Sequence, residues 1–351
     1  MARQPSLPLT YRDAGVDRAG KDALLAAMGT RIRSTYRQGT LGSGEGFGGL
    51  FRLTGYRDPV LVTSIDGVGT KVRVADIAGR WRVVGADIVS HGANDVLCQG
   101  ATPLFMLDYI AAGRLVAKVV TEIIEGIVQA CRDQAIVLIG GETAEMPGVY
   151  AREASDIVGC TVGAVERDRV ITGAAIRPGD VIVGVAGDGL HTNGYSLARA
   201  ALLPPGRVAA RRALAARPKE LSESLGDALL RPHRPYARPV LALRERVQLR
   251  GIAHVTGGGI PGNLVRILPG GSRARIHRGR WPVSPLFTLI QRRGRVTDAE
   301  MFRTFNMGLG LLVVVRESEA DSAVVHLERS GERAWVVGEI LAGSRGVEIR
   351  G

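Results

Sequence analysis

The run Gly140-Gly141-Glu142-Thr143-Ala144-Glu145 follows the apolar residues 135–139, so two carboxylates stand just after what reads as a buried strand. Open α/β sheets place ligands beyond the carboxyl ends of their strands, where Glu142 and Glu145 would be useful hard oxygen ligands for a metal-nucleotide. The spacing alone fits a solvated loop with two surface acids equally well. The same ambiguity attaches to Asp66-Gly67-Val68-Gly69-Thr70-Lys71, which follows the apolar residues 60–65. In one reading Asp66-Gly67 is the turn of a hairpin whose second strand begins at Lys71. In the other, Asp66 ends a strand over a cleft, the glycines leave room for phosphate and Lys71 supplies a point charge. Lysine is scarce, four of 46 basic residues, which favours a position where the arginine fork would not serve.

Residues 83–99 read as a helix that is apolar nearly all round, hence buried, yet it carries Asp87, His91, Asn94 and Asp95 within about a quarter of its circumference. Buried carboxylates are unfavourable unless paired or bound to a cation. Asn94-Asp95 therefore reads either as a magnesium or substrate contact or as hydrogen bonding to neighbouring loops, and His91 reads as structural. Residues 44–49 satisfy G-x-G-x-x-G but lack the preceding strand and following helix of a dinucleotide fingerprint. A loop that folds over phosphates and a plain flexible linker are both open to it. Three more glycine-flanked polar clusters, at 187–196, 253–259 and 305–310, put His191, Thr192, Asn193, His254, Thr256 and Asn306 at element ends and point to a substrate pocket.

The elements that must position these groups read as two α/β halves. A helix at 17–36 and a glycine-rich loop at 39–49 precede strands at 59–65, 104–111, 135–139 and 157–165, with helices at 83–99 and 121–134 between them. Arg177-Pro178-Gly179-Asp180 opens the second half and leads into a strand at 181–186, so the division falls near 170, giving domains of 1–170 and 171–351. Residues 204–218, rich in Pro, Ala and Arg, read as a surface excursion. A strand at 309–315, a helix and a terminal strand complete the chain.

Composition bounds the class. With 351 residues, 45% of them hydrophobic, the chain can bury two cores. Its net charge of +12 raises a nucleic-acid reading, a basic RNA-associated protein with structural glycine loops, but the arginines are scattered and only 5% of residues are aromatic, too few to supply stacking platforms. No nucleic-acid partner is expected. Cys98, Cys131 and Cys160 form no C-x-x-C pair, and the six histidines show no ligand spacing, so neither disulfides nor zinc is expected. Without a long apolar run or a charged-then-apolar amino terminus, the chain is expected to be cytoplasmic with no membrane partner.

The motifs together carry a family resemblance. YRDAGVD at 11–17, GFGGL at 46–50, DGVGTK at 66–71, Asn94-Asp95, QGA at 99–101, LDY at 107–109, the run 140–148, NGYS at 193–196, HVTGGG at 254–259 and FNMGLG at 305–310 make the chain closely similar to the phosphoribosylformylglycinamidine cyclo-ligases (aminoimidazole ribonucleotide synthetases) of purine biosynthesis. The resemblance implies an α/β fold with mixed, α+β-like sheets, whose ATP-binding N-terminal domains form a barrel across a homodimer interface. It implies ATP-dependent cyclisation of formylglycinamidine ribonucleotide to aminoimidazole ribonucleotide, with ADP and phosphate released. Asp66, Asp95 and Glu142 would hold Mg2+ on ATP. Gly44, Gly46, Phe47, Gly48, Gly49, Gly67, Gly69, Thr70, Asn94, Asp108, Gly140 and Gly141, with Asp66, would bind the nucleotide. Lys71 would neutralise the transferring group and His254 would act as acid or base. His191, Thr192, Asn193, Gly194, Thr256, Gly257, Gly258 and Asn306 would hold the ribonucleotide. A kinase-like relative of the same fold, phosphorylating another small acceptor, is the nearest rival. Five positions depart from the family's usual residues: Gly262 for Glu, His233 and Pro235 in Pro232-His233-Arg234-Pro235 for Thr and Ile, Thr102 for Glu, and Thr192 for Ser.

Overall fold

A computed structural model describes residues 8–42 and 46–351; Gly44, expected over the nucleotide, lies outside the described residues. The first half runs α1 (Arg18–Arg33), β1 (Thr40–Leu41), β2 (Leu50–Phe51), β3 (Pro59–Gly67), α2 (Lys71–Ala78), α3 (Arg82–Leu97), β4 (Thr102–Ala112), α4 (Ala117–Gln134), β5 (Val137–Glu145) and β6 (Ser155–Glu166). The second runs β7 (Asp180–Ala186), α5 (Tyr195–Leu202), α6 (Arg207–Ala215), α7 (Leu225–Leu229), α8 (Ala237–Arg244), β8 (Gly251–His254), α9 (Gly259–Ile267), β9 (Ser272–His277), α10 (Pro285–Gly294), α11 (Asp298–Thr304), β10 (Leu309–Arg316), α12 (Ala320–Arg329), β11 (Ala334–Ala342) and β12 (Gly346–Arg350).

Two expectations are corrected here. Lys71 does not begin the second strand of a hairpin after Asp66-Gly67. Gly69, at φ +56°, turns the chain out of β3, and α2 starts directly at Lys71. The strand at 135–139 neither starts nor ends as read. Ala135 closes α4 in a left-handed conformation, and β5 continues through Gly140-Gly141 to include Glu142 and Glu145. The excursion at 204–218 folds locally into α6, with Ala210 and Leu214 buried.

The first sheet has the order β3-β6-β4-β5, with only β4 and β5 parallel. The helices α3 and α4 cover one of its faces. On the other, Leu61, Ile65 and Leu107 are exposed at 58, 71 and 37%, a bare apolar surface. In the second sheet, β12-β9-β11-β7-β10-β8, the strands β7, β10 and β8 are buried on both sides. Along β10, Leu311, Val313 and Val315 enter one core while Leu312 and Val314 enter the other, which explains its uninterrupted apolar run.

Helix α3 carries most of the polar groups of interest, and glycines set its position. A Cβ at Gly85 would run into the carbonyl of Ile123, and one at Gly126 into the carbonyl of Arg82, so the α3 and α4 backbones touch. The two halves are joined by an enclosed ion pair. Lys71 Nζ lies 2.6 Å from Asp87 Oδ2 on α3, and both side chains have no exposed surface. The same ammonium donates to the carbonyls of His191 (3.0 Å) and Arg231 (2.7 Å), while Asp87 Oδ1 accepts the His233 N–H at 2.7 Å. Three backbone groups of the second half are thereby tied to one pair in the first.

Two stability predictions follow from this packing. Gly126→Ala should lower the unfolding free energy by about 1–3 kcal/mol, because the helices must separate; an unchanged urea midpoint would show that they do not touch there. Lys71→Met should lower it by about 3–5 kcal/mol by leaving Asp87 and two carbonyls unpaired, and Lys71→Met/Asp87→Leu should recover part of that loss. Equal midpoints for wild type and Lys71→Met would refute the junction.

Candidate active site

A cleft of about 470 Å3 opens between the end of β3 and the β8–α9 junction, lined by Ser64, Asp66, Asp95, His254, Thr256 and Asn263 among others. Asp95, one helical turn beyond His91, is its electrostatic centre. Its Oδ1 lies 2.8 Å from His254 Nδ1 and its Oδ2 accepts the Ser64 hydroxyl at 2.7 Å. Burial alone would raise the Asp95 pKa, but the hydrogen bond and charge of His254, then His91 and Ser64, hold it at about 2. Asp66 Oδ2 lies 3.0 Å from His91 Nε2. Burial pushes Asp66 up as well, but the hydrogen bond and charge of His91, and the Gly67 N–H donated to Asp66 Oδ1, overcome it, so the carboxyl titrates below its ordinary value. Two ionised carboxylates thus converge around His91 Nε2, which is 3.6 Å from Asp95 Oδ2. A cation entering this cleft would meet hard oxygen donors, but it would have to take the place of the His91 ring between them.

Behind them runs a chain of histidines. His91 Nδ1 is 2.8 Å from the Thr192 hydroxyl, which is 3.4 Å from His233 Nδ1; His233 Nε2 is 2.9 Å from His254 Nε2. Burial first, then neighbouring cationic groups, lowers the pKa of His191 and His233, and burial lowers His254 against the pull of Asp95. Sequence spacing gave no hint that ring nitrogens of His191, His233 and His254 would lie within 4.8 Å of one another. Their geometry does not suit one chelated ion. His191 and His233 stack at 4.1 Å with planes 24° apart, so their in-plane lone pairs do not meet.

The other expected nucleotide ligands are elsewhere. Asp66, Gly159, Asp108 and Gly141 form one row across the sheet. Glu142, the next residue, points to the opposite face, three strand spacings or roughly 14 Å from Asp66. It pairs with Lys21 at 3.2 Å. Within one chain Glu142 therefore does not join Asp66 and Asp95. Residues Gly46, Phe47, Gly48 and Gly49 lie at its edge of the sheet: Gly49 packs on Ile139, and Phe51 stacks on Phe105 at 5.2 Å. The expected nucleotide-binding residues thus fall into a cleft group with Asp66, Gly67, Gly69 and Thr70, and an edge group with Gly46–Gly49, Asp108, Gly140, Gly141 and Glu142. In the edge group, burial and then the Glu142 charge raise the Asp108 pKa to about 7 against its own backbone N–H.

Several expected ligands have all their polar atoms engaged within the protein. Lys71 is spent on Asp87 and two carbonyls and does not face open space. Asn94 donates to the Arg234 carbonyl and accepts from Tyr236 N–H. Asn306 holds Gly189 and Gly308, and Glu145 accepts the N–H groups of Asp17 and Leu115. Buried amides and carboxylates at loop junctions serve the backbone first. Thr256 lines the cleft and donates to Asn263, while Asn193 donates to the Thr192 hydroxyl and Gly257 lies against Asn193. Reading the sequence missed Ser64, which sits on β3 in register with Asp66 and has no motif of its own.

Comparison with known proteins gives this geometry a family. Residues 49–165 match the model for the AIR synthase related protein, N-terminal domain, and residues 177–350 that for the C-terminal domain. The chain is 48% identical over 343 residues to a phosphoribosylformylglycinamidine cyclo-ligase of Anaeromyxobacter dehalogenans, covering 97% of this chain and 98% of that protein. It is 47% identical to the Myxococcus xanthus protein of that name, over 95% and 96% of the two chains. In fold it is similar to thiamine-monophosphate kinase from Stenotrophomonas maltophilia (TM-score 0.65, 20% identity, 92% of this chain and 95% of that one). It also resembles the hydrogenase maturation protein HypE in complex with ATP (TM-score 0.66, 19% identity, 96% and 92%). By this end-to-end likeness the chain belongs to the phosphoribosylformylglycinamidine cyclo-ligase family.

Proposed function

We propose that this chain converts formylglycinamidine ribonucleotide to 5-aminoimidazole ribonucleotide, hydrolysing ATP to ADP and phosphate, as a ligase of de novo purine biosynthesis. The end-to-end likeness to proteins named for that cyclisation carries the reading. A formamide oxygen is a poor leaving group. Transfer of a phosphoryl group to it makes the carbon electrophilic, an amidine nitrogen of the same molecule forms the new C–N bond, the C–O bond breaks with phosphate, and the nitrogen loses a proton. Holding the two ends of one substrate in a cleft supplies much of the rate.

Asp66 and Asp95 would hold Mg2+, which would offset charge on the ATP phosphates. His254, oriented by Asp95, would accept the proton lost on ring closure; because His233 engages its Nε2, substrate must take over that contact. Thr192, Asn193, Thr256 and Gly257 would hold the ribonucleotide at the cleft margin. The edge group, with Glu142 and the glycines 46–49, would meet a nucleotide only if another chain brought it near a second cleft. We therefore propose a homodimer in which the bare face bearing Leu61, Ile65 and Leu107 is covered and the sheets close into a barrel. Three unpaired cysteines are in keeping with a cytoplasmic setting.

His254→Ala should lower kcat for ring closure by about 10²–10⁴-fold, and wild-type turnover would remove its role. Asp95→Asn should raise the Mg2+ concentration needed for half-maximal rate about tenfold or more, with chelation abolishing ADP release in the parent enzyme. ADP release with another acceptor but none with formylglycinamidine ribonucleotide would favour the kinase-like rival.

A further inference from the structure

A second cavity, of about 570 Å3, lies where α2 of the first half faces α5 and α6 of the second. Its charged lining is Arg73, Arg199, Arg207 and Glu153. Arg207 is committed to Asp76 through both terminal nitrogens, at 2.6 and 3.2 Å. Arg73 and Arg199 differ: among the described residues no carboxylate ion-pairs with either, and they lie close enough to repel. Burial, then the Arg73 charge, lowers the Arg199 pKa, with no acid opposing. Glu153 is the one acid in the lining and makes no ion pair with either; two neighbouring unpaired guanidinium groups are unfavourable, and their planar donors match a phosphate. Ser196 also lines this cavity, and its hydroxyl is 3.0 Å from that of Thr70, so two hydroxyls from opposite halves meet beside the arginines. Both are at helix starts with no side-chain cap, α2 after Thr70 and α5 after Gly194, where backbone N–H groups add to the positive potential.

We propose that this cavity binds a phosphate monoester dianion, the phosphate of the ribonucleotide substrate, clamped by Arg73 and Arg199 with Thr70 and Ser196 as hydroxyl donors. The assignment to that substrate rests on the function proposed above. ATP is the other source of phosphate oxygens. The cavity adjoins Asn193 and Gly194 through Ser196 and shares no residue with the sheet edge bearing Glu142 and the glycines 46–49, which favours the ribonucleotide.

The test uses the full chain with Arg73→Ala, Arg199→Ala and the charge-retaining Arg199→Lys. Each alanine variant should raise KM for formylglycinamidine ribonucleotide about 10- to 100-fold, with KM for ATP nearly unchanged and Arg199→Lys intermediate. The substrate nucleoside lacking the phosphate should react poorly with wild type and no worse with the variants. Direct calorimetric titration with ribose 5-phosphate, and with inorganic phosphate, should show binding that each alanine variant weakens by a similar factor. A rise in KM for ATP instead, or unaltered binding of ribose 5-phosphate, would overturn the site. If wild type closes no ring yet binds ribose 5-phosphate through both arginines, the proposed function fails and the anion site stands.

Discussion

The ion pair of Lys71 with Asp87 is the contact on which the geometry of both halves rests. Neither side chain meets water, so separating them would leave a bare charge in a packed interior, a far larger penalty than losing a surface bridge. What makes the pair central is its further bonding. The lysine holds the carbonyls of His191 and Arg231, and the aspartate holds the His233 N–H, so the histidines behind the cleft are located by the same two residues that join the sheets. His191 is held with φ at +59°, a conformation that a non-glycine residue keeps only when its surroundings insist on it.

Much of this was legible in the residues. The helix at 83–99 was expected to be buried while carrying Asp87, His91, Asn94 and Asp95, and α3 does this, with three of the four buried and Asp95 facing the cleft. The two-half α/β organisation followed from apolar runs set between glycine turns. Polar partners were less legible. Lysine at 71 was marked by its scarcity as a charge for phosphate, whereas it lies in a tight buried site with three acceptors at one nitrogen. The hairpin reading failed because a dipeptide turn signal is local, and Gly69 redirects the chain into a helix. Glu142 was placed beyond a strand because Gly-Gly usually ends one, whereas here the strand continues along the sheet edge.

The histidine chain shows the limit of spacing arguments. His91, Thr192, His233 and His254 come from four separated segments, and only the docking of one half on the other brings them into line. His233 stood out as a departure from the family's usual threonine, yet nothing local indicated that its ring would reach His254. Arg73 and Arg199 were hidden differently: in a chain with 46 basic residues, two arginines without an ion-pair partner look like all the rest until a cavity collects them.

A junction sealed by an ammonium and a carboxylate cannot serve as a hinge, since every degree of opening would tear charges apart in a dry interior. At the opposite edge of the first sheet Phe47 projects wholly into solvent. The rigidity of the protein is thus concentrated where its halves meet, and its exposed apolar surface lies at the far edge of the first sheet.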